Sequence, residues 1–324
     1  MNKGFKNYTK RITQAVGSVA EVSVNVNKED SNLHIVMPLV STISRCPMRT
    51  SLIFDLQSKD TNFGFGKGAR LNYYSLVKDI ENGYQITNSD GSVDKYLNSN
   101  NYFNMESGLT LKKTDCDEYD IAYHYEATDA QDNYMEFHPG RHYPSLIKKT
   151  NGDRISLDFI SATKMITNSC GEYISFNGSN NITDIESYFN EELVERAMIS
   201  YDENDYIKNI TYYNDKNAVV KSLSLAISEN EIVVMDEISG YRVCYTLSEG
   251  RVTYIKDGYD DSYTRGNEIN IVAVDGRTTI CNQDGKKNYV VFDNDNYPLY
   301  EVDDNGNVVE YAFNKEFNQM TFKS

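Results

Sequence analysis

Tryptophan is absent from the 324 residues, proline and cysteine occur five times each, and positive charge is scarce: 32 Lys+Arg stand against 48 Asp+Glu, a formal net charge of −16. Each shortage excludes something. So negative a chain lacks the basic face that displaces condensed counterions, and no nucleic-acid partner is expected. Cys46, Cys116, Cys170, Cys244 and Cys281 are odd in number, widely spaced and without a C-x-x-C pair. That argues against a disulfide framework and against half of a zinc or redox site; free thiols acting as small apolar side chains are expected. No apolar run approaches the roughly 18 residues of a membrane span. The basic start (Lys3, Lys6, Lys10, Arg11) leads into a segment broken by Ser18, Glu21, Ser23 and Asn25, not into a continuous signal-peptide core.

Helical periodicity is nearly missing too. The best candidate, Glu191 to Met198, runs straight into Ile199-Ser200-Tyr201 and reads equally as the polar beginning of a strand. What the chain does have is 26 Tyr and 13 Phe, residues that favour pleated, half-buried surface. Short alternating runs dominate, such as Val22 to Val26, Arg154 to Phe159 and Tyr241 to Leu247, and each can bury one face of an antiparallel sheet. Between them stand turn signals at close intervals, among them Asp90-Gly91, Asn151-Gly152, Asp257-Gly258, Asp284-Gly285 and Asn305-Gly306. The expected fold is all-β, an antiparallel sheet of consecutive β-hairpins. Residues 98–118 are a polar stretch, expected as a long loop or weak boundary between an N-terminal region, 1–97, and a hairpin array, 119–324.

The array contains an internal period. Phe292-Asp293 and Phe313-Asn314 stand 21 residues apart, and so do Gly285 and Gly306. The unit reads as an aromatic strand ending in Asp, a polar turn, an apolar pair, then Asp-x-x-Gly and a return strand, clearest over 285–314. A looser copy begins at Ile199-Ser200-Tyr201-Asp202.

These residues resemble the RHS/YD-repeat family, whose repeat carries a Tyr-Asp pair at about this spacing. The pair is intact at Tyr201-Asp202 and substituted at Phe292-Asp293 and Phe313-Asn314. A second segment, from Val24 through Leu52-Ile53-Phe54 and Phe65-Gly66-Lys67-Gly68-Ala69-Arg70-Leu71-Asn72-Tyr73 to Asp90-Gly91-Ser92, resembles the leader that precedes the repeats in this family's long bacterial proteins. Ala69 stands where that leader usually carries Trp. The resemblance implies an antiparallel sheet coiled into a shell, in a secreted or surface-attached bacterial protein that encloses or carries a toxin effector, with glycan binding as a further activity. It implies a non-enzymatic scaffold. The alternatives are a glycan-binding module and a polysaccharide hydrolase using a carboxylate pair.

Individual motifs add little chemistry. His138-Pro139-Gly140-Arg141-His142 places two histidines at i and i+4, but Pro-Gly between them makes a turn, and no metal site is expected. Acidic turns such as Asp257 to Asp261 lack the downstream glutamate of a calcium loop and read as solvated caps. Gly64 to Gly68 lacks the spacing of a phosphate loop and reads as a turn. No nucleophile motif stands out, so no catalytic residue is nominated, and no cofactor is expected. Tyr297, Tyr300 and Tyr311 are the candidates for stacking on sugar rings, weighed against a role in the repeat's own packing.

Overall fold

The structure is a computed structural model that describes residues 13–19, 21–27, 32–104, 107–114, 124–161, 163–259, 268–274, 277–281, 285–292, 298–303, 305–314 and 319–323. It is all-β, with no α-helix among the described residues. Three antiparallel sheets follow one another along the chain. The first is a five-stranded meander of Thr13–Val19, Val22–Asn27, Leu33–Ser41, Arg49–Asp55 and Ala69–Leu71. A three-stranded sheet follows, Ser75–Ile80, Gly83–Asn88 and Val93–Leu97. The third and largest runs from Phe103–Asn104 to Gln319–Lys323, each strand pairing with its neighbours in sequence; no described ladder joins its last strand to its first, so it stays open. Glu192–Tyr201 is a strand of this sheet, which resolves the ambiguity of that segment. Within the polar stretch, Phe103–Asn104 and Leu109–Thr114 are its opening strands.

The hairpins share a turn that explains the Asp and Asn at their ends. At Asp129, Asn168, Asp202, Asn214 and Asp303 the side-chain oxygen accepts the backbone N–H groups two and four residues on, at 2.8–3.0 Å. The same residue's N–H donates to the carbonyl four residues on. Three residues on, the chain is left-handed at Asp132, Gly171, Asp205, Asn217 and Gly306, where only Gly, Asn or Asp fits cheaply. The Asp of Tyr201-Asp202 is therefore a turn cap, and Asp303-x-x-Gly306 is the same turn.

Alternation gives the large sheet two faces. Ile155, Ile166, Ile174, Phe176, Ile185 and Ile210 lie on the apolar face. That face is covered by the first sheet's Leu33, Ile35, Met37, Leu52 and Phe54, and the two sheets share one continuous core. Burying each such side chain is worth about 1.5–3 kcal/mol, which is what holds the sheets together. The three-stranded sheet packs Val77, Ile86 and Tyr96 on Leu111, Tyr125 and Phe137 in a second core.

Polar clamps set the register of the first contact. Glu172, 1% exposed, accepts the Ile43 and Ser44 N–H groups at 3.0 Å each, the Ser44 hydroxyl, and Asn168 Nδ2 at 2.6 Å. Tyr212 Oη donates to Pro38 O at 2.6 Å and Glu195 accepts from Ser41 N at 2.8 Å. The glycine-rich loop docks on the Tyr-Asp turn: Lys67 N donates to Asp205 O at 2.9 Å, and a Cβ on Gly66 would stand 2.7 Å from the Tyr201 ring. This loop is a backbone contact between the two sheets. Ala69, fully buried opposite Phe54, fills the strand position at its end.

Candidate functional site

With the apolar face covered, the opposite face of the large sheet holds the side chains available for chemistry. Two clusters stand on it, and cross-strand register builds both.

The first lies on His124–Asp129 and Tyr134–Phe137. Glu126 pairs directly with Glu136, which puts the two carboxylates side by side on this face. Tyr134 Oη lies between them, 3.3 Å from Glu126 Oε1 and 3.1 Å from Glu136 Oε2. His124 Nε2 sits 3.0 Å from Glu126, His138 Nε2 2.9 Å from Glu136, and Ser145 Oγ donates to Glu136 at 2.7 Å. Burial opposes ionisation of Glu136, but hydrogen bonds from Ser145, Tyr134 and His138 outweigh it and hold the carboxyl below its usual range. Burial and the two carboxylates push the Tyr134 phenol up. A glycosidase pair needs one carboxyl raised so that it keeps a proton to give; Glu136 is shifted the other way.

The second cluster crosses Tyr173–Asn177, Asp184–Phe189, Glu192–Tyr201 and Ile207–Asn214. Tyr173 and Tyr188, paired directly, stack with ring centroids 4.7 Å apart and planes 13° from parallel. Tyr188 Oη donates to Glu186 at 2.8 Å; burial and that carboxylate push the phenol up to about 12. Arg196 forks onto Asp184 at 2.9 and 2.7 Å and lies 5.9 Å from the Tyr213 ring centre. The His–Glu and Arg–carboxylate side chains of the two clusters are 19–34% exposed and reach solvent on this face.

A pocket of about 380 Å³ opens at the edge of this region, lined by Arg141, His142, Tyr143, Ser145, Phe159 and Ile160. Its aromatic wall is the stacked pair Tyr143 and Phe159, 4.1 Å between centroids.

The residues nominated from sequence are dispersed. Tyr300 lies on the polar face, edge-on to Tyr289 at 6.5 Å, whereas Tyr311 lies on the opposite face and donates to Glu301 at 2.9 Å. Tyr297 lies outside the described residues. His138 and His142 diverge, the first to Glu136 and the second to the Tyr74 ring at 5.4 Å. Among the described residues no group of three or more His, Cys, Asp or Glu is placed to hold a metal ion. Sequence reasoning missed both clusters. Their signal was Tyr and Glu two residues apart, in Tyr134-Met135-Glu136 and Glu186-Ser187-Tyr188, which puts each pair on one face; which strands then meet is a matter of register.

No family model matches the chain, and no curated protein matches it. Among solved structures, it is similar to a porin-like protein from Bacteroides uniformis ATCC 8492, with 9% identity and a TM-score of 0.31 over 91% of this chain and 95% of that one. It is also similar to a TcdB2-TccC3-TEV structure, with 7% identity and a TM-score of 0.18; the match covers 97% of this chain and 18% of that one. Likenesses of that size carry no argument about function. No helix among the described residues is long and apolar enough to cross a membrane, which says nothing of strands.

Proposed function

We propose that this chain is a non-enzymatic β-scaffold of RHS/YD-repeat type in a secreted or surface bacterial protein, which carries a partner on its polar face and does not enclose one. The observation that carries the reading is the covered apolar face: from Ile155 to Ile280 its buried side chains pack on the chain's own first sheet and leave no hollow there. The recurrent capped turns and the glycine loop seated on the Tyr-Asp turn are accounted for by assembly alone. An effector polypeptide co-expressed with the full chain should co-purify with it and remain open to protease. An effector protected until the scaffold unfolds would overturn the carrying mode.

The stacked Tyr173–Tyr188 pair beside Glu186 and Arg196 favours a second reading, a glycan-binding module, because apolar ring faces and hydrogen-bonding charges stand together there. A glycan panel assayed for both retention and release of reducing ends separates the readings. Retention lost in Tyr188→Ala, with no release, supports the module. Release abolished by Glu136→Gln would establish a hydrolase in place of the scaffold.

A further inference from the structure

The loop after Leu33–Ser41 crosses onto the turn between Lys164–Asn168 and Tyr173–Asn177, and this crossing brings Cys46 and Cys170 to one place. A single side-chain amide ties their backbones: Asn168 Nδ2 donates to Cys46 O at 2.8 Å, and its Oδ1 accepts from Cys170 N at 3.0 Å. Arg154 O ties them again, accepting from Cys46 Sγ at 3.7 Å and from Ser169 N at 2.9 Å. The Cys170 sulfur lies against the crossing loop, beside the Arg45 side chain, the Cys46 N–H and the Ser44 hydroxyl, whose proton goes to Glu172.

The two thiols differ in a useful way. Cys46 is 1% exposed, whereas Cys170 is only partly covered. Burial, and then Asp153, push the Cys46 thiol up. The Ser44 hydroxyl, helped by Arg45 and the Cys46 N–H, holds Cys170 below its ordinary value. An accessible sulfur among donors is an attacking group, and a second thiol beside it can resolve the product.

We propose that Cys170 and Cys46 are a dithiol site for a small-molecule disulfide such as oxidised glutathione, and that exchange closes a Cys46–Cys170 bond joining the first sheet to the large one. The Cys170 thiolate attacks one sulfur of the glutathione disulfide and releases one glutathione thiolate, leaving a mixed disulfide. Cys46 then attacks the Cys170 sulfur, its proton passing to the second departing glutathione. Two protein thiols are oxidised and one glutathione disulfide is reduced to two glutathiones. The bond would form where Glu172 and Asn168 already hold the loop against the turn.

The test is incubation of the full chain with oxidised glutathione, followed by acid quenching, intact mass and peptide mapping. The expected result is loss of two hydrogens from the folded chain, with Cys46 and Cys170 in one linked peptide. Cys46→Ser should stop at a stable glutathione adduct on Cys170, and Cys170→Ser should give neither the bond nor an adduct on Cys46. An untreated-like mass, a wild-type chain that keeps the Cys170 adduct without the linked peptide, or reaction confined to Cys116, Cys244 or Cys281 would overturn the proposal. The wild-type peptide map decides even if a variant fails to fold.

Discussion

Arg70 buries a full positive charge, 4% exposed, in the strand after the glycine-rich loop, and the surrounding residues are arranged to make that tolerable. Its Nη1 donates to Asp55 Oδ2 at 3.0 Å, its Nη2 to Ser58 Oγ at 2.6 Å, and its guanidinium lies 4.0 Å from the Phe63 ring centre. Asn32 Nδ2 donates to the other Asp55 oxygen at 2.9 Å. Burial opposes ionisation of Asp55, and the bonds from Asn32, Ser58 and Arg70 overcome it, so its carboxyl lies below the usual range. Removing one partner strands the other. Arg70→Met is expected to cost about 3–5 kcal/mol, read from urea unfolding, because Asp55 would remain a buried carboxylate without its guanidinium. A loss under about 1 kcal/mol would mean that water reaches the site. The same logic sets an acid limit. Asp55, Glu172, Asp129 and Asp303 all have carboxyls held low by hydrogen bonds, so their contribution is present above the ordinary values of 3.8 for Asp and 4.5 for Glu and is lost as pH falls through the lower folded values. The carboxylate contribution is therefore constant from pH 7 to about 5, and melting temperature should fall below about pH 4.5; a melting temperature that rises below that pH would contradict this.

At the scale of the element, the hairpin turn and the glycine loop define each other. Gly66, at φ +83°, has the Tyr201 ring and Asp205 O against the position of its missing Cβ, at 2.7 and 2.8 Å. Gly66→Ala should cost about 2–4 kcal/mol and loosen the loop, because left-handed strain adds to a clash with backbone. Gly152 has a similar angle and open space around it, so Gly152→Ala should cost only the strain, about 1 kcal/mol. Equal effects in equilibrium unfolding would remove the docking role of the loop. Much of this scale was legible beforehand. Alternation and Asn/Asp-Gly signals give consecutive hairpins because side-chain direction and positive φ are local properties. The Tyr-Asp pair read as a repeat marker, and its Asp proves to be the cap that repeats at Asp129, Asn214 and Asp303. Glu191 to Met198 stayed ambiguous because its first half, Glu191-Glu192-Leu193-Val194, has helix-forming residues; pairing of Glu192–Tyr201 on both sides decides for strand.

The whole molecule is where sequence reading stops. Nothing local says that Glu126 will face Glu136, that Tyr300 and Tyr311 will end on opposite faces, or that Cys46 will meet Cys170 across the crossing loop. These follow from register and from the first sheet lying on the large one, both set by contacts between residues far apart in sequence. The packing of the first sheet on the large one fills the apolar face and leaves the polar one exposed. Native-state hydrogen exchange tests it directly. Amides of Leu33–Ser41 should be protected to the same degree as those of Tyr173–Asn177 and should open together with them in rising denaturant, as one cooperative unit. Fast exchange of Leu33–Ser41 while Tyr173–Asn177 stays protected would show the first sheet detached and would contradict the account.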